Sequence, residues 1–258
     1  MASKFALGVM VLVALGVVNA CGGSDLESTG SGIKVVATTT QIGALVREIA
    51  GEDVELTVLL KAGADAHDYD PSPQAVKKVS EADLVLRNGI GLDDWLDGMV
   101  EGASSRERVK TVTDGIEVRE GGESHEDEDE DDEAHEGEDE AHEDDPHVWH
   151  NPMLAKVMVN NIVAALSEAD PERAATFAQR GEAYSAKLDA TDAEIRLLIE
   201  TIPAENRKVV TNHDAFGYFF ERYGLEFVGA VIPSRNKDAQ ASAKDLAALH
   251  DLEESEGV

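Results

Sequence analysis

The sequence predicts an α/β protein with two lobes of parallel-sheet βα units joined by a long helix, the second lobe being incomplete. Three observations support this fold class. Short β-branched runs alternate with amphipathic segments in residues 34–112, the same alternation resumes after Pro203, and an unbroken helical pattern lies between the two regions. Strands and helices that alternate at this spacing form βαβ units, in which the strands are parallel.

The first lobe opens with an apolar run at residues 34–39 that predicts a buried strand. A helix is predicted at residues 41–50, because its apolar residues recur every three or four positions and Gly51 is typical of a C-terminal cap. The same reasoning predicts the other elements of this lobe: strands at 54–60, 84–86 and 109–112, and helices at 73–82 and 92–100.

The segment after the first lobe carries two helix-start signals. Asn151 followed by Pro152 is typical of an N-cap and first helical residue, and it predicts a helix to about residue 166. Asp170 and Pro171 repeat the signal, and the helical pattern then continues to Ile202. A helix of about 32 residues would span roughly 48 Å, so it is expected to run along or between two lobes.

The second lobe has fewer elements. After Pro203 we predict strands at 208–210 and 226–232 and helices at 215–223 and 242–253. A sheet of two strands with an open edge would be marginally stable. We therefore expect the chain to be incomplete at its C-terminus.

The charge of the chain is concentrated in one segment. The formal net charge is 22 − 53 = −31, and residues 123–145 contribute 16 acids with no Lys or Arg, which leaves about −15 elsewhere. Nucleic acid is a poor partner for such a surface, because phosphate contacts require a basic stripe. A segment so poor in apolar residues cannot bury a core, so 123–145 is predicted to be disordered.

The N-terminus is typical of an exported lipoprotein. Lys4 precedes about 14 apolar and small residues, which is the length of a signal-peptide core and too short for a comfortable membrane span. Ala20 then precedes Cys21, the single cysteine. This pattern resembles a bacterial lipobox, which implies cleavage before Cys21 and lipidation of its thiol; the alternative is a plain secretory signal. No internal disulfide can form.

Three histidines occupy comparable positions. His67 lies in the loop after the second strand, His147 lies just before a helix start, and His213 lies at the carboxyl end of a strand. Ligands of open α/β sheets bind beyond the carboxyl ends of the strands. Three converging imidazoles with an oxygen fit Zn²⁺. An acid that could orient the imidazole, or simply be solvated, lies within two residues of each: Asp68, Asp145 and Asp214.

At these residues the chain resembles the zinc- and manganese-binding lipoproteins of bacterial ABC uptake systems, the ZnuA/TroA-like solute-binding proteins. The matching segments are HDYDPSP, DPHVWHNP and TNHDAFGYFFERYGLEFVGAVIP, in that order, with an acidic insertion before the second. The resemblance covers about residue 34 to the end. It implies two α/β lobes joined by a rigid helix, with the metal between them.

The resemblance also implies the site residues. The family's metal-binding histidines fall on His67, His147 and His213, whereas His150 matches a position that is a non-ligand in many members. Manganese members tend to use two histidines and two carboxylates, so three histidines favour zinc. Many members take a fourth ligand, Asp or Glu, from later βα elements, and that ligand is not accounted for in this chain.

The acidic insertion is a second candidate for zinc binding. Its carboxylates raise the local concentration of cations, and the nitrogens of His125, His135 and His142 favour zinc over calcium or magnesium. Any site there must order a flexible segment, so it is expected to bind more weakly than the main site. The alternative is a solvated spacer without metal.

The expected function is capture of Zn²⁺ outside the membrane and delivery to an ABC permease. The protein is expected to be lipid-anchored to the cell membrane and to act as a monomer. Manganese or iron binding and a surface-adhesion role are the alternatives. An enzyme is not expected, because the chain has no HExxH motif to supply a general base beside a zinc-bound water.

The predicted segments are a signal peptide (1–20), a tether (21–33), the first lobe (34–122), the insertion (123–145), a helical link (146–202) and a partial second lobe (203–258).

Overall fold

Two parallel sheets organise the part of the chain described by the structure, a computed structural model that covers residues 32–100, 103–119, 144–232, 247 and 249–250. The first sheet has the order β2-β1-β3-β4, and the second pairs β5 with β6. The strands are β1 Lys34–Ala37, β2 Glu55–Val58, β3 Leu84–Arg87, β4 Val109–Thr111, β5 Lys208–His213 and β6 Glu226–Ile232. The helices are α1 Thr40–Ala50, α2 Pro73–Glu81, α3 Ala103–Glu107, α4 Pro152–Ala169, α5 Ala174–Glu200 and α6 Gly217–Tyr223.

The first sheet is buried on both faces, which explains why its strands are continuous apolar runs. Side chains alternate across a strand, so Val35 and Ala37 face a core with α1, α4 and α5, while Val36 faces a smaller core. The smaller core is completed by Ala75 and Val79 of α2. All pairings in both sheets are parallel, and the predicted α/β class is confirmed.

Local sequence signals account for most helix boundaries. The Thr39 hydroxyl accepts a hydrogen bond from the Ile42 backbone N–H at the start of α1, and the Asn151 side chain does the same for Met153 at the start of α4. Gly51 ends α1 with φ +60° and Gly224 ends α6 in the left-handed region. The caps at Asn151 and Gly51 agree with the start and stop signals read from the sequence.

The predicted helix at residues 92–100 is wrong in type. The structure has a 3₁₀ helix at Asp94–Met99 instead. Asp93 just before it is fully buried, where its carboxylate accepts hydrogen bonds from the Thr38 hydroxyl and from the Asn88 and Gly89 backbone N–H groups. The Asp93 carboxylate is bonded to Thr38 and to the end of β3, and it makes no capping hydrogen bond to the helix that follows.

The long helix is shorter than predicted. A 3₁₀ turn at Pro171–Arg173 precedes α5, which ends at Glu200 rather than at residue 202. At this turn the Asp170 side chain pairs with Arg173, and no side chain caps the start of α5. The N-terminal half of α5 packs on the first lobe, where Phe177 is fully buried and Arg180 donates to the Ala50 carbonyl and the Asp53 carboxylate.

The C-terminal half of α5 is joined to α6 by Asp192. Its carboxylate accepts hydrogen bonds from Arg222 at 2.6 and 2.8 Å, from the Tyr223 hydroxyl at 2.9 Å and from Arg196 at 3.2 Å. These donors, led by Arg222, lower the pKa of Asp192 below its ordinary value, although burial opposes them. The helix therefore makes polar contacts with both halves of the described chain.

Several predicted features lie outside the described residues. They include the signal segment, Cys21, the tether, and most of the insertion; of the predicted helix at 242–253 only residues 247, 249 and 250 are described, and all three are helical. Among the described helices, α4 and α5 are long enough to be considered as membrane spans, but neither meets the required apolarity.

Candidate metal centre

The structure brings together the three histidines that the sequence singles out. One ligand atom from each of His67, His147 and His213 lies within 4.8 Å of the others. The Nε2 atoms of His67 and His147 are 3.4 Å apart. The ring centroids of the three residues are 5.4, 6.1 and 5.5 Å apart, in a tilted or edge-on arrangement.

His67 is positioned by its own loop. The Asp65 carboxylate accepts a hydrogen bond from the His67 backbone N–H at 2.9 Å, which forms a local turn. The Trp95 indole N–H donates to the Ala66 carbonyl at 3.0 Å, and its ring packs on Tyr69 at a centroid distance of 4.5 Å. The loop is thereby fixed to the 3₁₀ helix at Asp94–Met99.

His147 is the most buried of the three, with 4% of its surface exposed. Asp145 Oδ1 accepts hydrogen bonds from the His147 backbone N–H at 3.1 Å and from Nδ1–H at 2.7 Å. A proton on Nδ1 leaves the Nε2 lone pair free to face the centre, as is typical of imidazoles that bind metal. The expectation that a nearby acid orients the imidazole agrees with this geometry at Asp145.

The position of Asp145 corrects one detail of the sequence analysis. Asp145 was grouped with the acidic insertion at 123–145, but the structure places it fully buried next to His147. Its backbone N–H donates to the Arg119 carbonyl at 3.0 Å, and its Oδ2 lies 3.6 Å from Arg119 Nη1. Amino-acid composition placed Asp145 in the insertion because composition does not distinguish a buried aspartate from a solvated one.

His213 is the last residue of β5, at the carboxyl end of the strand. Its carbonyl accepts hydrogen bonds from the Thr211 hydroxyl at 2.9 Å and from the Ala215 backbone N–H at 3.0 Å. These bonds turn the chain sharply toward α6. The side chain consequently faces the other two histidines from the second sheet.

The spacing of the nitrogens suits a small tetrahedral cation. Two ligands at a zinc–nitrogen distance of about 2.0–2.1 Å in tetrahedral geometry lie about 3.3 Å apart. The observed distance between the His67 and His147 Nε2 atoms is 3.4 Å. Little rearrangement would be needed for these two imidazoles to bind one zinc ion, and His213 lies within reach of the same point.

His150 stands outside this cluster, in agreement with the sequence analysis, which gave it no role. Its ring packs at a tilt against Phe216 at a centroid distance of 4.4 Å and against Trp149 at 5.5 Å. Burial and, to a smaller extent, the charge of His147 lower the pKa of His150 to about 4, although the charge of Asp145 opposes them. The neutral imidazole acts here as an aromatic packing residue.

Two residues that support the site were not found from the sequence. Asn88 Nδ2 donates to the Pro146 carbonyl at 3.2 Å, and the Tyr218 hydroxyl donates to the Asp145 carbonyl at 2.9 Å. Both lie more than 50 positions from their partners along the chain. The only sequence signal was their place, since Asn88 follows a strand end and Tyr218 lies five residues after His213.

The other predicted site residues, His125, His135, His142 and Cys21, lie outside the described residues.

The family model for zinc-uptake complex component A, periplasmic (ZnuA), matches residues 35–258. The chain belongs to the ZnuA family. This confirms the resemblance stated above, and it also confirms that the chain is not an enzyme, because members of the family are substrate-binding proteins of ABC transporters.

Two similar proteins are named as substrate-binding lipoproteins of metal ABC transporters. The manganese ABC transporter substrate-binding lipoprotein PsaA of Streptococcus mitis is 36% identical over 249 residues, which cover 94% of this chain and 74% of PsaA. The metal ABC transporter substrate-binding lipoprotein SsaB of Streptococcus sanguinis is 33% identical over 247 residues, which cover 93% of this chain and 75% of SsaB.

Solved structures of the same fold carry similar descriptions. The periplasmic zinc binding protein TroA from Treponema pallidum matches with a TM-score of 0.73 at 31% identity, covering 88% of this chain and 76% of TroA. A manganese-bound mutant of the periplasmic metal binding protein from Candidatus Liberibacter asiaticus matches with a TM-score of 0.72 at 26% identity, covering 88% and 77%. The chain is thus a metal-binding substrate-binding protein of an ABC uptake system.

Proposed function

We propose that this ZnuA-family chain captures Zn²⁺ outside the cytoplasmic membrane through His67, His147 and His213 and delivers it to an ABC permease. The observation that carries the proposal is the cluster of three imidazoles whose ligand atoms lie within 4.8 Å of one another. Zinc accepts imidazole nitrogen readily and binds in tetrahedral sites of this size. The Asp145 carboxylate supports the proposal because it orients His147 in the tautomer that a metal requires.

Manganese is the second candidate, and one observation favours it. The 36% identical relative from Streptococcus mitis is named a manganese-binding lipoprotein, whereas the structurally similar TroA is described as a zinc binding protein. The ligand chemistry of this chain supports zinc. Mn²⁺ prefers carboxylate and carbonyl oxygen, and three nitrogen ligands therefore favour zinc.

The test is a set of histidine variants measured with both metals. His67→Ala, His147→Ala and His213→Ala are each expected to weaken zinc binding by at least about 100-fold, because each removes one direct ligand. His150→Ala is the matched control, since this histidine is close to His147 in sequence and in space but packs against Phe216. Competition with a chromophoric chelator gives the zinc affinity, and the same titration with Mn²⁺ gives the selectivity.

The outcomes separate the hypotheses. Wild-type protein that binds Zn²⁺ and Mn²⁺ with equal affinity would refute the assignment to zinc but retain the site. Zinc-dependent growth that survives replacement of all three histidines would favour a surface-adhesion role instead. If His150→Ala loses as much zinc binding as the three other variants, the assignment of His67, His147 and His213 as the ligand set is refuted.

The extracytoplasmic location and the lipid anchor at Cys21 also belong to the proposal. Two relatives are named lipoproteins, and Cys21 follows a signal-like segment. We expect Cys21→Ala to move the protein from the membrane fraction to the soluble fraction of the producing bacterium.

The chain is proposed to act as a monomer, and light scattering of the soluble Cys21→Ala variant tests that expectation.

The histidines of the acidic insertion are proposed as accessory zinc ligands. His125, His135 and His142 are interspersed among carboxylates, which attract cations and leave the nitrogens to favour zinc. We expect these ligands to bind additional zinc more weakly than the three-histidine cluster. Isothermal titration of the full chain should then give one tight equivalent followed by weaker ones.

A further inference from the structure

The segment that carries His147 is hydrogen-bonded from two directions. Asn88, at the end of β3, donates its side-chain N–H to the Pro146 carbonyl at 3.2 Å. Tyr218, in α6, donates its hydroxyl to the Asp145 carbonyl at 2.9 Å. Two consecutive carbonyls before His147 are therefore bound by donors from different halves of the described chain.

The Tyr218 hydroxyl makes a second bond at the same place. It accepts a hydrogen bond from the Arg119 backbone N–H at 2.9 Å, and the Arg119 carbonyl in turn accepts one from the Asp145 backbone N–H at 3.0 Å. We call Arg119 and Asp145 the neck, because they flank residues 120–144 and are hydrogen-bonded to each other. A single hydroxyl thus satisfies one donor and one acceptor of the neck.

The contact between α6 and the neck is close. Tyr218 is 4% exposed, and a Cβ atom at the neighbouring Gly217 would overlap the Arg119 guanidinium and lie 3.0 Å from Asp145 Oδ2. A side chain at this position would require the Arg119 guanidinium to move. Because interiors are densely packed, a buried hydroxyl that loses its place leaves two backbone groups unpaired rather than solvated.

We propose that Tyr218 is a positioning residue, through which α6 holds the neck and so holds His147 in the geometry that binds metal. The inference rests on the proposed function, since it requires His147 to be a ligand. The chain of contacts is short: Tyr218 fixes the Asp145 backbone, and the Asp145 carboxylate fixes the His147 ring. Loss of the hydroxyl should therefore act on the metal site as well as on stability.

Tyr223 provides a matched control within the same helix. It is 6% exposed, and its hydroxyl donates to Asp192 Oδ1 at 2.9 Å. Tyr218→Phe and Tyr223→Phe each remove one buried, hydrogen-bonded hydroxyl from α6. A purely structural role predicts similar consequences for the two variants, whereas the positioning role predicts a difference confined to the metal site.

The experiment uses the full chain, with Zn²⁺ and Co²⁺ as probes. Zinc dissociation is followed by stopped flow into excess chelator, and Co²⁺ absorption reports the ligand geometry. We expect Tyr218→Phe to release zinc about tenfold faster, in the lower part of the range for residues that support a ligand, and to change the Co²⁺ spectrum. Tyr223→Phe should stay within about twofold of wild type in release rate, with an unchanged spectrum.

The possible results are distinct. Equal release rates and spectra for the two variants would overturn the positioning role while leaving the zinc site in place. A wild-type protein that binds neither probe would overturn the proposed function, and this inference with it.

Discussion

Asp145→Asn is the substitution that most directly tests how the candidate site is supported. The carboxylate accepts two hydrogen bonds at Oδ1, from the backbone and the ring of His147, and its Oδ2 lies 3.6 Å from the Arg119 guanidinium. Asparagine has nearly the same shape but presents one amide NH₂ group. That group must face either the Arg119 guanidinium or the Nδ1–H of His147, and both of these are donors.

The size of the effect follows from this conflict. In metal sites, removing the partner that orients a histidine ligand costs about 10- to 100-fold in metal affinity. Each factor of ten corresponds to about 1.4 kcal/mol, so the expected loss is about 1.4–2.8 kcal/mol. The upper part of the range applies to Asp145, because it is fully buried and no water can replace the lost acceptor.

The assay is zinc affinity by chelator competition, with Asp144→Asn as the control. Asp144 is the exposed neighbour of Asp145, so the control makes the same change of charge one residue away. Asp144→Asn should bind zinc within about twofold of wild type. Equal affinities for the two variants would mean that Asp145 does not orient a metal ligand, and the reasoning would fail.

Three further results are expected. Replacing residues 120–143 by a short glycine linker should retain the tight zinc equivalent and remove the weaker ones in calorimetry, because the neck is closed by a backbone hydrogen bond; loss of the tight site would show that the insertion completes it. Trp95→Phe should accelerate zinc release several-fold, since it frees the loop of His67, and an unchanged rate would refute that role. Asp192→Ala should lower the free energy of unfolding by about 3 kcal/mol at pH 7, by leaving Arg222 unpaired. Because the folded-state pKa of Asp192 is lowered, its contribution exists above the ordinary value of 3.8 and is lost as the pH falls below it, so denaturant curves of variant and wild type should converge in acid.

The order and type of most elements could be predicted because their signals are local. The strand β3 is an apolar run, and the helix α4 begins at an Asn–Pro pair. Local signals failed where a distant contact decides the conformation. The 3₁₀ helix at Asp94–Met99 begins next to Asp93, whose carboxylate is bonded to Thr38, 55 positions away, instead of capping the helix.

The candidate site divides in the same way. The three histidines could be predicted because they stand at strand ends and helix starts, where open α/β sheets bind ligands. Their supporting residues could not, because nothing in the local sequence distinguishes Tyr218 from Tyr223, or Asp145 from the exposed Asp144. Only the folded chain separates the tyrosine that bonds to the neck from the one that bonds to Asp192.

Anomalous diffraction at the zinc edge, from crystals of the full chain loaded with one equivalent of Zn²⁺, tests the central claim most directly. The three-histidine site predicts a single strong peak about 2.0–2.1 Å from one nitrogen of each of His67, His147 and His213. A principal peak in the acidic insertion would contradict the three-histidine site. A principal peak that lacks a bond to even one of these three histidines would also contradict it.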